Sequence, residues 1–266
     1  MSLIISRNKV SLDQIIACET PAATETFVPV PHIHLINLVK AALTLAGLTI
    51  VEEEHALARH GLRYFGGFAV TGKGIGNEDR QAVVGLRNSN DKAFAAAICM
   101  GSKMMVCENL DFASDEKLSR RHTVNVMADL PRVIAGAIGR VVSHWNDMEN
   151  RIEAYKATKI TEEQAQNILV SLVDSKAIPA RNFYPTLVEF RAPRHAEFEG
   201  MHLFNLYNAV TEHLKGSDLF KLAFRTMTTQ SIFDPISSHV PHLEVQEIVT
   251  QGCEENQEPD GTQLSE

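Results

Sequence analysis

The strongest constraint on the fold is a region of short apolar segments separated by clusters of glycine, asparagine, aspartate and serine. It spans residues 48–107, and polar clusters interrupt it at residues 72–77, 88–91 and 101–103. Such clusters mark turns, and the apolar runs between them are typical of strands. We therefore predict an antiparallel β-meander of about five strands. The predicted strands cover residues 48–57, 62–71, 81–87, 93–100 and 104–107.

Helical periodicity dominates the rest of the chain. Apolar residues recur at spacings of three and four from residue 123 to about residue 155, which predicts one long helix. Thr161 and Gln164 form a capping box that begins another helix. Further helices are predicted at residues 32–46, 161–173 and 201–214, with a short one from residue 217. Strands followed by helices indicate an α+β fold, with the meander packed against the long helix and further C-terminal helices.

Composition along the chain suggests three parts. Residues 1–30 contain Pro21 and Pro29 and are predicted to be irregular. Residues 31–243 are predicted to form a single α+β domain. Residues 244–266 hold seven acidic residues and no lysine or arginine, so most of the formal net charge of −8 lies there. A segment so polar cannot bury itself, and we predict a disordered acidic tail.

Several classes of protein lack support in the sequence. No apolar run approaches the roughly 18–20 residues of a membrane span, and residues 1–5 do not resemble a secretory signal, so a cytoplasmic location is expected. The four cysteines include no CxxC pair. The glycine-rich residues 72–76 lack the spacing of a phosphate-binding loop. We expect no cofactor and no metal, although spacing alone neither indicates nor excludes a site built from His32, His34 and His122.

Three polar clusters stand out against this background. LRNSNDK at residues 86–92 is a polar turn, VCENL at residues 106–110 interrupts an apolar run, and RRHT at residues 120–123 precedes a helix. Hairpin chemistry explains much of the first cluster, and a helix cap at Thr123 explains part of the third. Their role is otherwise unassigned. The polar residues of interest are Asn88, Asp91, Glu108, Asn109 and His122.

These clusters, followed by YNAVTE at residues 207–212, resemble successive motifs of the phage and plasmid family called domain of unknown function 932. The resemblance covers about residues 30–235, and YFGG at residues 64–67 is a looser match. It implies an origin in a phage, prophage or plasmid. The family carries no established activity, so the resemblance assigns no catalytic residue.

The predicted meander is basic within an acidic protein. Between residues 59 and 103, seven basic residues face three acidic ones. If these cations gather on one exposed sheet face, they form a groove for single-stranded DNA, and Tyr64, Phe65 and Phe68 could stack on its bases. The candidate nucleic-acid-binding residues are Arg59, Arg63, Lys73, Arg80, Arg87, Lys92, Lys103, Arg120 and Arg121.

Three functions are compatible with the sequence. The first is a non-enzymatic nucleic-acid-binding protein, of which single-strand annealing proteins are one type. The second is a protein-binding inhibitor of a host defence or restriction system, in which the acidic tail would take part. The third is an enzyme with a dispersed site, which requires Arg87, Asp91, Glu108 and His122 to converge. A homo-oligomer is also expected, because the edges of a meander need covering.

Overall fold

The computed structural model is organised around one antiparallel β-sheet. It describes residues 9–104, 110–215 and 219–237, except for the side chains of residues 110–119, 219–221 and 223. Within these ranges the sheet has six strands, each paired with its neighbours in the chain. They are β1 Lys9–Val10, β2 Thr49–Ala58, β3 Arg63–Thr71, β4 Arg80–Ser89, β5 Ala96–Met104 and β6 Leu110–Arg120. The predicted antiparallel meander is therefore confirmed.

Helices make up most of the remaining described chain, so the predicted α+β class is confirmed as well. Two 3-10 turns, Ala180–Asn182 and Ala196–Phe198, lie between the later helices. The described α-helices are α1 Leu12–Ile16, α2 His32–Leu45, α3 Val126–Gly139, α4 Val141–Ala157, α5 Glu162–Asp174, α6 Phe183–Arg191, α7 Leu203–Leu214 and α8 Leu219–Ser237. None of these helices is long and apolar enough to cross a membrane.

The strand prediction was wrong at residues 101–103, which were taken for a turn. They lie buried inside β5, where Lys103 is opposite Gln81 on β4. A buried lysine is tolerated there because its Nζ lies 3.7 Å from a carboxylate oxygen of Glu52. The last strand, β6, was not predicted, and residues 105–107 of the predicted fifth strand lie outside the described ranges.

The predicted long helix is two helices that meet at Arg140. This residue ends α3 and begins α4, with φ −98° and ψ 3°. The apolar spacing continues across the junction, so periodicity could not reveal it. Helix α4 also takes part in both hydrophobic cores of the protein. The first half of α4 packs in one core through Trp145, and its second half packs in another through Ile152.

Each face of the sheet supports its own hydrophobic core. Alternation along β3 divides them, because Tyr64 and Phe68 point to one face while Phe65 and Ala69 point to the other. Helices α2 and α3 cover the first face, and α5 to α8 belong to the core on the second. The sheet is therefore a central layer between two helical layers.

The ends of the chain were predicted to be irregular or disordered. Within residues 1–30, the structure has β1 and α1, and α1 begins with a capping box between Ser11 and Gln14. The predicted acidic tail, residues 244–266, lies outside the described ranges.

Candidate functional site

The strand register sorts the nine candidate cations between the two ends of the sheet. Ala58 lies beside Arg63, Arg63 beside Ser89, and Ala96 beside Arg120, so one end collects six of them. We call this the cationic end. Its residues are Arg59, Arg63, Arg87, Lys92, Arg120 and Arg121.

The other three cations lie at the opposite end and do not extend this surface. Arg80 is 4% exposed, forms an ion pair with Glu149 and lies 5.5 Å from the centre of the Trp145 ring. Lys103 is 1% exposed, and Lys73 lies exposed in the β3–β4 connection. The nine cations therefore do not share one exposed sheet face, because the meander turns the chain between its two ends.

The aromatic residues expected to stack on bases are also unavailable. Tyr64, Phe65 and Phe68 are all buried in the two cores. Tyr64 has a structural contact instead, since its hydroxyl lies 3.0 Å from Nδ1 of His55. Any aromatic surface for a ligand must come from elsewhere in the chain.

Ion pairs neutralise part of the cationic end. Arg63 pairs with Asp91 at 2.7 Å, and Arg120 pairs with Asp129 at 2.5 Å. Arg59, Lys92 and Arg121 are exposed, and no carboxylate among the described residues pairs with them. Together with the half-buried Arg87, which also has no carboxylate partner among the described residues, these three exposed side chains supply the uncompensated positive charge of this end.

A cleft of about 360 Å³ opens beside the β4–β5 turn. It brings two of the exposed cations, Lys92 and Arg121, together with the rings of Phe27 and Phe94. Lys92 Nζ lies 5.1 Å from the centre of the Phe27 ring, within the range of a cation–π contact. The complete lining is Thr26, Phe27, Lys92, Phe94, Ala95, Arg121, His122 and Thr123.

Two further arginines adjoin the cleft through Phe94. The guanidinium carbons of Arg63 and Arg87 lie 5.8 Å and 5.1 Å from the centre of its ring. Burial lowers the pKa of the Arg87 guanidinium, but an arginine remains charged at any physiological pH. Since Arg63 is paired with Asp91, Arg87 is the one of these two that adds an uncompensated positive charge beside the cleft.

A buried hydrogen-bond network supports the cleft from below, and Asn88 is its centre. The Asn88 side chain is fully buried. Its Nδ2 donates to the Val30 carbonyl over 2.7 Å and to His32 Nδ1 over 2.9 Å. His122 Nε2 donates to Asn88 Oδ1 over 2.7 Å. The Asn88 amide thus donates two hydrogen bonds and accepts one, and each of the three has a matching partner.

The same network holds the N-terminal wall of the cleft against the sheet. The backbone N–H of Val28 donates to the carbonyl of His122, and that of Val30 donates to Asn90 Oδ1 over 3.1 Å. Phe27 directly precedes this clamped stretch and packs 5.2 Å from the His122 ring, centre to centre. The clamp therefore fixes the position of an aromatic ring that lines the cleft.

Asp91 is hydrogen-bonded within the β4–β5 turn. It accepts hydrogen bonds from the Ser89 hydroxyl, over 2.5 Å, and from Arg63 Nε, over 2.7 Å. Burial raises its pKa, but the hydrogen bonds from Ser89 and Arg63 outweigh this and lower the pKa overall. Glu108 and Asn109 lie outside the described ranges. Of the polar residues of interest, Asn88 and His122 thus come together, and Asp91 anchors the adjacent turn.

Metal binding has no geometric support in the part of the chain that the structure describes. No three His, Cys, Asp or Glu side chains there lie close enough together to hold a metal ion. His32 and His122 do approach each other, but Asn88 lies between them and hydrogen-bonds to both. His34 is not part of this network.

Comparison with known protein families identifies the family of the chain. The family described as "Domain of unknown function (DUF932)" matches residues 22–232. The chain belongs to this family. The resemblance inferred from four short motifs is therefore confirmed. No curated protein matches the chain, and no solved structure matches it.

The DUF932 match includes the cleft and every residue of the cationic end. Sequence reasoning had found Lys92, Arg121 and His122 but missed Phe27 and Phe94. Phe94 carried a usable signal, since it follows the polar turn of residues 88–92 by only two positions. Phe27 carried none, because its place in the cleft depends on contacts with residues far along the chain.

Proposed function

We propose that this DUF932 protein is a phage, prophage or plasmid protein that binds single-stranded nucleic acid without catalysing a reaction on it. In this proposal the strand crosses the cationic end of the sheet, and the cleft holds one of its nucleotides. A role in single-strand annealing and assembly into a homo-oligomer stay predictions that go beyond this proposal.

The observation that carries the proposal is the pairing of exposed cations with aromatic rings in one cleft. Lys92 and Arg121 are exposed and have no carboxylate partner among the described residues. Phe27 and Phe94 line the same cleft. Proteins that bind single strands combine cations for the phosphates with aromatic rings for the bases, and each stacked base contributes about 1–3 kcal/mol.

Nearby charges favour an anionic ligand. Asp91 is already paired with Arg63, and Asp129 with Arg120, so neither carboxylate opposes a phosphate in full. Arg59 adds an exposed cation at the same end of the sheet. Glu25 is exposed and adjacent in sequence to the lining residue Thr26, and no lysine or arginine among the described residues pairs with it. Its replacement by glutamine should strengthen binding.

The experiment is a titration of a fluorescently labelled oligothymidylate of about eight nucleotides, within the range of about 4–16 that one such site covers. Anisotropy would be measured at about 50 mM salt, where phosphate contacts contribute strongly. The test variant is Lys92→Gln/Arg121→Gln. The matched control is Lys73→Gln/Arg181→Gln, which removes two exposed cations that do not line the cleft.

The proposal expects wild-type protein and the control to bind with similar affinity, and the test variant to bind at least tenfold more weakly. The two variants have the same net charge, so non-specific attraction affects both equally. Failure of wild-type protein to bind at low salt, or equal weakening by both variants, would overturn the proposal.

A further inference from the structure

We infer that His122 recognises a hydrogen-bond donor on the edge of a nucleobase held in the cleft. The inference rests on the proposed function and assigns a specificity-determining atom, His122 Nδ1, to the same site. It predicts that the protein distinguishes strands of equal charge by the donors on their bases.

The first step is the tautomer of the His122 ring, which the surrounding chain fixes. Both hydrogens of Asn88 Nδ2 are committed to acceptors, one to the Val30 carbonyl and one to His32 Nδ1. Asn88 therefore presents its oxygen to His122, and the hydrogen in that 2.7 Å contact must come from His122 Nε2. A neutral ring that carries its proton on Nε2 has a lone pair on Nδ1.

His32 adds an independent constraint on the orientation of Asn88. Its Nε2 lies 2.8 Å from the carbonyl oxygen of Gly61, which can only accept a hydrogen bond. His32 must therefore be protonated on Nε2 and accept on Nδ1, so the Asn88 atom facing it is the donor Nδ2. The chain from Gly61 through His32 and Asn88 thus sets the hydrogen-bonding character of His122.

The second step is the position of the ring. His122 lines the cleft although it is only 5% exposed, and no group among the described residues hydrogen-bonds to its Nδ1. Burial, followed by the nearby His32, lowers the pKa of His122, so the ring is neutral at neutral pH. The cleft therefore pairs two cations, which suit phosphate, with one uncharged acceptor, which suits an N–H group.

The third step is the direction from which a base would approach. The Phe27 ring lies 5.2 Å from the His122 ring, centre to centre, at an interplanar angle of 30°. A base in contact with Phe27 or Phe94 lies in the same cleft as His122, so its edge can reach a hydrogen-bond acceptor in the wall. Ribose hydroxyls are the alternative donors, and the experiment separates them from the bases.

The experiment compares two DNA strands of the same length, charge and stacking surface. One is oligothymidylate, whose bases carry a single N–H donor at N3, and the other is built from N3-methylthymidine, which lacks that donor. A third strand, oligouridylate, adds a ribose hydroxyl. Binding of wild-type protein and of His122→Gln to each strand is measured at neutral pH. Glutamine can keep the donor to Asn88 but offers no acceptor at the position of Nδ1.

The inference expects wild-type protein to bind oligothymidylate about three- to tenfold more tightly than the N3-methylated strand, the range of one net hydrogen bond. His122→Gln should bind both DNA strands alike, with the affinity that wild-type protein has for the methylated one. Binding with that wild-type affinity also shows that the variant is folded. The ratio of the two affinities of wild-type protein involves no substitution. It therefore tests whether the base donor is recognised even if the variant does not fold.

Equal binding of both DNA strands by wild-type protein overturns the inference while leaving the proposed function intact, whether or not oligouridylate binds more tightly. Undiminished discrimination in a folded His122→Gln protein overturns it too, because the donor would then be read by another residue. Absence of binding to all three strands overturns the proposed function itself, and the inference with it.

Discussion

His122 Nε2 and Asn88 Oδ1 lie 2.7 Å apart, although 34 positions separate the two residues in the chain. Asn88 lies near the end of β4, and His122 follows the end of β6. Their hydrogen bond therefore connects two ends of strands that the sheet itself does not pair directly. The cleft depends on this connection, because the same network fixes both the His122 ring and the stretch that follows Phe27.

Replacing Asn88 tests how much this network contributes to stability. Asn88→Ala would leave His32 Nδ1 and His122 Nε2 without their buried partner. Each such loss costs about 1–3 kcal/mol, so for the two groups we expect the free energy of unfolding to fall by about 2–6 kcal/mol. Urea denaturation would measure it. Asn37→Ala, at an exposed position of α2, is the control. A loss no greater than that of the control would show that the network is not stabilising.

Acid should destabilise the protein through His32 and His122. Burial is the main cause that lowers the pKa of each in the folded state. Their pKa in the unfolded chain is about 6.5. Below that value the unfolded state binds more protons, so the stabilisation is complete above about pH 6.5 and is lost as the pH falls toward the lowered folded values.

The unfolding free energy, measured between about pH 7.5 and pH 5, should therefore decline by up to about 1.4 kcal/mol per pH unit for each histidine. His32→Gln/His122→Gln should flatten the decline, whereas His60→Gln, at an exposed turn position, should not. An identical decline in wild-type protein and the double variant would assign acid sensitivity to other groups.

A second buried polar cluster joins α4 to α8. Arg151 Nε and the Tyr155 hydroxyl both donate to Asp234 Oδ1, over 3.0 Å and 2.5 Å. Asp234→Asn removes the charge that balances a buried arginine, which typically costs about 3–5 kcal/mol. Tyr155→Phe removes one hydrogen bond and should cost about 1–2 kcal/mol.

Thermal and chemical unfolding of both variants would test this order. Glu153→Gln, which breaks the exposed contact with Lys156, should change stability by less than about 1 kcal/mol. If Asp234→Asn proved milder than Tyr155→Phe, the ion pair would not be the dominant contact of the cluster.

Local rules predicted the parts of the fold that local chemistry determines. The capping box of Thr161 and Gln164 is present at the start of α5, because its two hydrogen bonds span only three residues. The turn predicted at residues 88–91 does lie between two strands, but its start was wrong, because β4 continues through Ser89. By contrast, the polar residues 101–103 looked like a turn and are strand, since Lys103 is stabilised by Glu52 on β2, which no local rule can foresee.

The candidate site shows the same division. Short motifs singled out Asn88 and His122 as unusual, but their hydrogen bond depends on a separation of 34 residues. His32 was considered only as a poor metal ligand, whereas it orients Asn88 from 56 positions away. A count of charges could not show that Arg80 is buried against Trp145 while Lys92 and Arg121 are exposed together.

The most direct test of the account is the salt dependence of single-strand binding. For a single strand, each phosphate contact contributes about 0.7 to the slope of log affinity against log salt concentration. If Lys92 and Arg121 each contact a phosphate, the slope for Lys92→Gln/Arg121→Gln should be shallower than that of wild-type protein by about 1.4. Lys73→Gln/Arg181→Gln should retain the wild-type slope. Parallel lines for wild-type protein and the cleft variant would contradict the account, because the cations of the cleft would then not contact the strand.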